Sequence, residues 1–397
     1  MEIKKLKVAL VHDWLTRMGG AEKCLECFCD IFPEADIYTL IHVKGSVSSK
    51  IESHKIFTTF LQKIPFKSKF YRYFFSLAPT AIEQFDFRDY DLVLSGSSCV
   101  AKGVIVPHSV LHVSYSYTPM RYAWEMYDEY FGESSTLPLW QRMAIAPQLN
   151  YLRMWDVISS NRVDKFIADS KHVADRIEKI YRRDSVVIYP PVDTDFYKLY
   201  AQKEDYYLMV TTFEPSKRVD LAISAFNRLG LPLKIVGSYG RYRRLFMRRA
   251  KENIEFLGWK SDEELRDLYA KAKALVSPGV EDFGIIPLEA ISSGTPVIAY
   301  AAGGVLETVI PVNPPVGKKY RSKANGIFFY RHTVHDLVDT IEKFAHVDRT
   351  KGWDRTKMRK HAVNFGKKRF ITNFRKYLET ELAKFDRGRR SAKVIRE

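Results

Sequence analysis

The chain has 397 residues, of which 46% are apolar and 28% are charged, the balance of an ordinary globular protein of two or three domains. No run of about 18 uncharged apolar residues occurs, which argues against a membrane-spanning helix. Lys and Arg number 63 and Asp and Glu 47, so the net charge of +16 predicts an anionic partner: nucleic acid, a phosphorylated ligand or an acidic membrane. Because residues 1–5 lack the layout of a signal peptide, we expect a cytoplasmic protein.

Short apolar runs rich in β-branched residues alternate along the chain with segments of helical periodicity. The first series of predicted strands comprises Val8–Val11, Asp91–Leu94, Ser109–Val113, Lys165–Ala168 and Val186–Tyr189. The second series comprises Tyr206–Val210, Pro232–Val236, Ala274–Val276, Pro296–Ala299 and Gly326–Phe329, and intervening helices are predicted over Asp220–Leu229 and Asp262–Lys273. This alternation predicts βαβ units, a parallel sheet in each series and helices on both sheet faces.

The series is interrupted once, at the turn-rich stretch 189–195, which contains two consecutive prolines. Two prolines continue neither a helix nor a central strand. We therefore predict an N-terminal domain over residues 1–195, a C-terminal domain over 196–375 and a basic C-terminal helix or tail over 376–397. Two doubly wound domains of this kind would face each other across a cleft at the carboxyl ends of their strands, where such folds bind ligands.

The four cysteines are too few for a disulfide scaffold in a chain of this length. Cys24, Cys27 and Cys29 form a C-x-x-C-x-C cluster, but a metal site needs a fourth ligand, and the remaining cysteine is Cys99. We interpret Cys24 and Cys27 as small apolar residues on one helical face. The stretch 193–195 has the spacing of a metal-binding D-x-D motif, but it lies in the predicted linker, and we assign no metal to it.

Gly19 and Gly20 stand between the first predicted strand and the helix that follows it. Glycines at this place let the backbone approach a phosphate closely, and the start of a helix favours negative charge. The pair does not form a G-x-G-x-x-G motif, so a dinucleotide site is only weakly indicated. A tight turn between strand and helix is the alternative interpretation.

The most informative segment is 278–290, which follows a buried strand and opens a helix. Two of its carboxylates, Glu281 and Glu289, are eight residues apart and are suited to sugar hydroxyls, because each carboxylate accepts two hydrogen bonds at once. The amides around Phe283 and Gly284 lie at the predicted helix start, where a phosphate binds well. An acid at a helix cap and a solvated glutamate are the alternative interpretation.

Glu281 and Glu289, with seven residues between them, resemble the E-x7-E signature of the retaining glycosyltransferases of family 4, which have the GT-B fold. Five further segments are similar to the same family: 115–122, 188–193, 213–220, 294–299 and 303–309. The first two resemble the branch that contains mannosyltransferases of cell-surface polysaccharide synthesis, and the third resembles the phosphate-binding segment of the family. The resemblance extends over nearly the whole chain.

The resemblance implies an α/β GT-B fold of two Rossmann-like domains and a role for each matching residue. Lys217 and Glu281 are the implied catalytic residues, because Lys217 would contact the donor diphosphate as a point charge and Glu281 would bind the donor sugar. The implied substrate-binding residues are Gly19, Gly20, Tyr117, Arg218, Phe283, Gly284, Ile285 and Glu289, the last of these at the ribose. No metal or other cofactor is implied, since positive charge and helix dipoles stabilise the leaving diphosphate.

Two positions depart from the pattern of the family. Thr212 stands where members usually have an arginine, and Tyr117 stands where the mannosyltransferase branch usually has a histidine. Arg218 is the nearest cation in sequence that would compensate for Thr212. His12 and His112 do not align with the missing histidine, and we interpret both as structural.

Residues 53–82 contain no Asp or Glu, and their basic residues are interleaved with aromatic ones. We interpret this segment as a contact with an anionic membrane, to which the main contributors are Lys63, Lys67, Lys69 and Arg72. The alternative is that the aromatic residues form core and the lysines a solvated face. Further basic clusters occupy 241–251 and 387–396, but no nucleic-acid motif accompanies them, and no nucleic acid is expected as a partner.

The resemblance thus implies a retaining hexosyltransferase that moves a hexose from a nucleotide-sugar donor to a lipid-linked or saccharide acceptor, peripheral on the inner face of the membrane. GDP-mannose is the expected donor and a UDP-sugar the alternative. Three other functions stay open from the sequence: a nucleotide-sugar epimerase, a basic nucleic-acid-binding protein, and a non-catalytic glycan-binding relative.

Overall fold

The computed structural model describes residues 6–64, 75–132, 135, 137–200, 202–237, 240, 242–313 and 323–394, with side chains described to residue 386. The chain divides into two compact units. The first unit comprises residues 1–191 and 368–397, and the second unit comprises Val192–Lys367. Each contains a parallel sheet with helices between its strands, so the predicted α/β class and the two Rossmann-like domains are confirmed.

The strands alternate with helices in both units. The strands of the first unit are β1 Val8–His12, β2 Asp36–Thr39, β3 Ile56–Thr58, β4 Leu92–Ser97, β5 Leu111–Ser116, β6 Lys165–Ala168 and β7 Ser185–Val187. The strands of the second unit are β8 Tyr207–Val210, β9 Leu233–Val236, β10 Ile254–Gly258, β11 Ala274–Ser277, β12 Val297–Tyr300 and β13 Gly326–Phe329.

The helices are numbered through both units. They are α1 Gly20–Ile31, α2 Ser49–Glu52, α3 Ala78–Ile82, α4 Tyr127–Phe131, α5 Leu139–Ser160, α6 Lys171–Tyr181, α7 Val219–Leu229, α8 Arg243–Arg249, α9 Asp262–Lys271, α10 Ile285–Ser292, α11 Val305–Thr308, α12 Val334–Thr350, α13 Arg355–Ala362 and α14 Lys367–Val394. Short 3-10 helices occupy Phe60–Lys63, Ala101–Gly103, Pro215–Lys217 and Val363–Phe365.

The sheet of the first unit has the strand order β3-β2-β1-β4-β5-β6-β7. All five residues of β1 are buried, as expected for a central parallel strand that is covered on both faces. Part of the core beside it consists of the α1 side chains Cys24, Cys27 and Phe28 together with residues of α14. The Phe28 ring centroid is 5.0 Å from that of Phe374 and 5.6 Å from that of Tyr115. The two cysteines therefore pack as small apolar residues.

The sheet of the second unit has the order β10-β9-β8-β11-β12-β13. Helix α7 is amphipathic, because its apolar side chains recur at three- and four-residue spacing and so form one face of the helix. Phe226 on this apolar face is fully buried. The Tyr207 ring of β8 packs between Phe226 and Phe344, with centroid distances of 5.2 and 6.0 Å. This core holds β8 and β11 side by side at the centre of the sheet.

The two units differ in their limits from the predicted ranges 1–195, 196–375 and 376–397. The stretch after residue 191 is bonded into the second unit, where the amide of Val192 donates to the carbonyl of Phe365 at 3.0 Å. Residues 368–375 belong to the first unit, because Phe370 and Phe374 of α14 are buried in its core. Residues 376–394 continue this same helix.

The predicted membrane segment is described only in part. Lys67, Lys69 and Arg72 lie outside the described residues, whereas Lys63 ends a 3-10 helix. Phe57 stacks on Tyr38 with a centroid distance of 4.8 Å, so this aromatic residue packs inside the first unit. Among the described residues, no helix is both long enough and apolar enough to cross a bilayer.

Candidate functional site

The candidate site of the second unit lies at the carboxyl edge of its sheet, where the strand order reverses. From β8 the chain passes to β9 on one side, while β11 lies on the other side of β8. Open parallel sheets bind ligands at such a switch point. The loop after β8 carries Lys217 and the loop after β11 carries Glu281, so the topology brings two distant segments to one place.

Lys217 and Glu281 form a two-pronged ion pair. The Lys217 Nζ atom donates to both carboxylate oxygens of Glu281, at 2.9 Å to Oε1 and 2.8 Å to Oε2. The side chains are 22% and 18% exposed, respectively, so the pair is accessible from solvent. An anion that carries more negative charge than one carboxylate, such as a diphosphate, would compete with Glu281 for Lys217.

Two glycines permit the backbone geometry that positions this pair. A Cβ atom at Gly279 would lie 2.5 Å from the carbonyl oxygen of Ser216 and 2.9 Å from the Cα atom of Lys217. A Cβ atom at Gly303, whose φ is +77°, would lie 2.4 Å from the carbonyl oxygen of Glu281. That oxygen also accepts a hydrogen bond of 2.8 Å from the amide of Gly304. The backbones around Lys217 and Glu281 are thus in close contact with neighbouring loops.

Helix α10 begins directly after this loop. Gly284 precedes the helix with φ of +99°, a conformation that strongly favours glycine, and Ile285 is the first helical residue. The amides of the first turn have no carbonyl partner within the helix, as at every helix start. Phe283 is 3% exposed and its ring centroid lies 5.9 Å from that of Phe365, so this residue belongs to the core.

Glu289 lies inside α10 and is 7% exposed. Its Oε2 atom accepts a hydrogen bond of 2.9 Å from the hydroxyl of Tyr269. Burial, together with the negative charge of Glu289, raises the pKa of Tyr269 and of the neighbouring Tyr197, so both tyrosines stay protonated donors. The second carboxylate of the motif therefore belongs to a buried aromatic cluster, a setting that the sequence did not indicate.

The residues around Lys217 have partners of their own. Arg218 caps α7 with φ of +49°, and its guanidinium faces the Asp220 carboxylate at 3.3 and 3.4 Å. The carbonyl of Thr212 accepts a hydrogen bond from the side chain of Thr211 at 2.9 Å.

One residue near this loop was not predicted from the sequence. The Nε2 atom of His332 lies 3.0 Å from the carbonyl oxygen of Pro278, and burial lowers the pKa of His332. Its position became visible only through the fold.

The predicted residues of the first unit meet at the carboxyl edge of its own sheet. Gly19 and Gly20 lie at the start of α1, and Tyr117 follows β5. The hydroxyl of Tyr117 donates to the carbonyl of Ala21 at 3.1 Å. A Cβ atom at Gly96 would lie 3.0 Å from that hydroxyl oxygen, so the glycine makes room for the tyrosine. Burial raises the pKa of Tyr117, which therefore remains neutral at physiological pH.

A buried His–Glu pair lies beside these residues. The Nε2 atom of His12 is 3.2 Å from Oε1 of Glu22, and the two residues are 3% and 7% exposed. This contact fits the interpretation of His12 as structural, and the sequence signal for its partner is an acid, Glu22, in the first turn of a helix. His112 bonds to the hydroxyl of Ser95 at 3.0 Å, and burial lowers the pKa of His112 to about 3, as expected of a neutral core histidine.

Within the part of the chain that the structure describes, no group of three or more His, Cys, Asp or Glu side chains is placed to hold a metal ion. Cys24, Cys27 and Cys29 are all buried in α1. Asp193, from the D-x-D stretch, pairs instead with Lys367 at 2.6 Å.

Residues 193–369 match the family model described as "Glycosyl transferases group 1". An uncharacterized glycosyltransferase of Methanocaldococcus jannaschii is 30% identical over 183 residues, which cover 45% of this chain and 48% of the relative. The O-antigen chain mannosyltransferase RfbU of Salmonella typhimurium is 29% identical over 209 residues, or 49% of this chain and 57% of the relative. The chain thus spans about half the length of these curated relatives.

Solved structures resemble the protein over nearly its whole length. Anabaena HepE, in complex with UDP and glucose, superposes with a TM-score of 0.67 at 17% identity and covers 94% of this chain and 99% of its own. Sucrose-phosphate synthase from Thermosynechococcus elongatus gives a TM-score of 0.69 at 14% identity, covering 96% of this chain and 100% of its own. These similarities confirm the predicted GT-B fold class.

Proposed function

We propose that the protein is a retaining glycosyltransferase of family 4 that transfers a hexose from a nucleotide diphosphate sugar to a lipid-linked or saccharide acceptor. The observation that carries this proposal is the ion pair of Lys217 and Glu281 at the switch point of the second sheet. This ion pair places a cation suited to a diphosphate beside a carboxylate suited to sugar hydroxyls.

In the proposed reaction the donor diphosphate replaces Glu281 as the ion-pair partner of Lys217. The Glu281 carboxylate then accepts hydrogen bonds from the hydroxyls of the donor sugar. The acceptor hydroxyl oxygen forms a bond to the anomeric carbon while the bond from that carbon to the diphosphate oxygen breaks, and the hydroxyl proton passes to the departing diphosphate. Negative charge then grows on the diphosphate, where Lys217 and the first-turn amides of α10 stabilise it. In the first unit, Gly19 and Gly20 are proposed to contact phosphate, and Tyr117 to donate a neutral hydrogen bond.

The donor is proposed to be GDP-mannose, with a UDP-sugar as the alternative. The similarity to mannosyltransferases supports mannose, whereas the structural neighbour that holds UDP and glucose supports a uridine nucleotide. A thermal-shift panel of GDP-mannose, UDP-glucose and the free nucleotides separates the two. A ligand at about 100 times its dissociation constant stabilises the folded protein by about 2.7 kcal/mol, which gives a clear shift.

The decisive experiment uses opposite effects on binding and on transfer. In Glu281→Gln we expect transfer to be lost, while the free nucleotide diphosphate binds about fivefold tighter, because the anionic competitor of Lys217 is gone; a partly exposed pair of this kind contributes about 1 kcal/mol. In Lys217→Ala both nucleotide binding and transfer should weaken. The matched control is Glu342→Gln, an exposed carboxylate of α12. Near-normal transfer in both site variants would overturn the proposal.

The alternative functions give different outcomes in the same assays. A non-catalytic glycan-binding protein would bind saccharide without turning over any nucleotide sugar, and an epimerase would alter the sugar while leaving it attached to the nucleotide. A nucleic-acid-binding protein would bind DNA in a salt-dependent manner and ignore every nucleotide sugar. The similarity of residues 193–369 to group 1 glycosyl transferases supports the transferase.

A lipid-linked acceptor would require the protein to work at a membrane surface. We place it on the inner face of the membrane as a peripheral protein, attracted there by its net charge of +16. Binding to anionic vesicles that falls as salt rises would support this part of the proposal. Equal binding to neutral and anionic vesicles would remove its electrostatic basis.

A further inference from the structure

His332 of the second unit lies in a turn that local hydrogen bonds hold in place. The turn follows β13 and leads into α12, where the Thr333 side chain accepts a hydrogen bond of 3.2 Å from the amide of Asp336. The Asp336 carboxylate in turn accepts hydrogen bonds of 2.7 and 2.8 Å from the amides of Tyr330 and Arg331. The backbone on both sides of His332 is therefore fixed by the cap of a helix.

The ring of His332 connects the carboxyl ends of three neighbouring strands. Strand β12 lies between β11 and β13 in the sheet. From the end of β13, the His332 ring stacks on Tyr300, the last residue of β12, with a centroid distance of 3.6 Å and an interplanar angle of 26°. Its Nε2 atom reaches the carbonyl oxygen of Pro278, which follows β11, at 3.0 Å. The side chain thus bridges the sheet edge as far as the loop after β11.

The contact with Pro278 requires a proton on Nε2 of His332. A carbonyl oxygen accepts hydrogen bonds and does not donate them, so Nε2–H is the donor. Burial lowers the pKa of His332, so at physiological pH the ring is neutral and this bond fixes its tautomer. Pro278 is buried, and no backbone amide of the described residues donates to its carbonyl. His332 therefore supplies the hydrogen bond that a buried carbonyl needs.

The backbone that His332 holds is in direct contact with the ion pair of the candidate site. Pro278 begins the loop that carries Glu281, and Gly279 comes next. A Cβ atom at Gly279 would lie 2.9 Å from the Cα atom of Lys217, so the two loops touch at this point. A displacement of Pro278 would therefore be transmitted to the spacing between Lys217 and Glu281.

We propose that His332 is a positioning residue for this ion pair, and that its hydrogen bond to Pro278 fixes the loop that carries Glu281. The inference rests on the proposed function, since it assigns a consequence for sugar transfer to the geometry of that loop. The sheet edge supplies the loop with one such contact from two strands away, and a reacting group held in place in this way loses little entropy when the donor binds.

Packing on Tyr300 is the other role that the His332 ring could have. Phenylalanine keeps an aromatic ring for that packing but has no N–H group to donate. Glutamine lacks the ring but carries an amide N–H at about the distance of Nε2 from the backbone, whereas asparagine is one methylene shorter and does not reach Pro278. The three variants His332→Phe, His332→Gln and His332→Asn therefore separate the hydrogen bond from the packing.

Steady-state transfer kinetics give the first test. His332→Phe and His332→Asn should lower kcat at least about tenfold, because a small misplacement of a reacting group is enough for such a loss. His332→Gln should stay within about threefold of the wild type, because its amide restores the hydrogen bond. The dissociation constants of free GDP and UDP should change less than about twofold, because Lys217 lies on a separate loop. The matched control is His335→Gln, a histidine of the same helix whose side chain is 74% exposed.

Hydrogen exchange followed by mass spectrometry gives the second test and needs no substrate. The amides of residues 279–286 should exchange faster in His332→Phe and His332→Asn than in the wild type, because the loop opens more often once its anchor is lost. His332→Gln and His335→Gln should exchange as the wild type does. Circular dichroism confirms that each variant is folded, and if His332→Phe is not, the glutamine and asparagine variants make the comparison.

Two results would overturn the assignment. One is a folded His332→Phe variant, or in its place His332→Asn, with normal transfer and normal loop exchange, which would leave packing as the role of the ring. The other is loss of transfer in His332→Gln with unchanged loop exchange, which would make His332 a direct contact of the donor. A wild type that transfers no sugar would count against the proposed function, whereas the loop exchange would still decide the role of His332.

Discussion

The carboxyl edges of the two sheets have similar topology but differ in how exposed their polar groups are. In the second unit the edge presents Lys217 and Glu281, 22% and 18% exposed, at the switch point between β8 and β11. In the first unit the corresponding edge, between β1 and β4, has its polar groups closed off: His12 is 3% and Glu22 is 7% exposed. One edge keeps a charge pair open to solvent, and the other keeps its polar pair buried.

This difference indicates a division of labour between the two edges. A solvent-accessible cation is poised to bind a diphosphate, since little burial has to be undone before a ligand reaches it. A buried pair such as His12 and Glu22 instead fixes the shape of the loop that contains Gly19 and Gly20. We therefore expect mutations of Lys217 and Glu281 to impair chemistry, and mutations of His12 and Glu22 to impair mainly stability.

The largest expected effect is on transfer. Glu281→Ala should lower the transfer rate by at least about a thousandfold, as expected for loss of a group that stabilises developing charge or orients the reacting sugar. Unfolding by urea should show a stability within about 1 kcal/mol of the wild type, because the side chain is partly exposed. A variant that transfers sugar normally would break the proposed contrast between the edges.

The next effect is on the stability of the first unit. Phe374→Ala should cost about 3–5 kcal/mol in the free energy of unfolding, because the ring is fully buried against Phe28. Urea unfolding followed by circular dichroism measures this cost, and Arg375→Ala on the solvent side of the same helix is the control. A cost near zero would mean that α14 contributes little to that core, contrary to its burial.

A smaller effect, a gain in donor affinity or turnover, is expected at Thr212, which departs from the family pattern. Thr212→Arg should raise donor affinity or turnover about fivefold, since one added cation near a diphosphate contributes about 1 kcal/mol when it is partly solvated. Titration with the donor measures affinity, and Thr212→Gln controls for side-chain size. If the arginine variant is folded but lowers both quantities, the site is built around a neutral residue.

The smallest effect concerns Tyr117. Tyr117→Phe should cost about 1 kcal/mol of stability, the usual contribution of a hydrogen bond such as the one to Ala21. Tyr117→His should be tolerated, with transfer within a few fold of the wild type. Thermal unfolding and initial rates measure the two quantities. A large loss of transfer in Tyr117→Phe with unchanged stability would give the first edge a chemical role. The two sheet edges would then differ less in function than we expect.

The sequence by itself determined the features that depend on local pattern. Apolar runs and helical periodicity located β1, β4, β8 and β11, because a strand or helix records its environment in its own residues. The spacing of Glu281 and Glu289, with the glycines around them, identified the loop that carries the candidate site.

Only the tertiary structure decided the features that depend on distant partners. Glu289 meets Tyr269 from another helix, His12 meets Glu22 across a loop, and α14 returns to the first unit after the whole of the second. The exposure of Trp140, Met143 and Met154 on α5 could not be predicted either. Apolar residues on two faces of a helix both indicate a core position until the packing shows which face is covered. Contacts of this kind depend on how the chain folds back on itself, and no local periodicity encodes them.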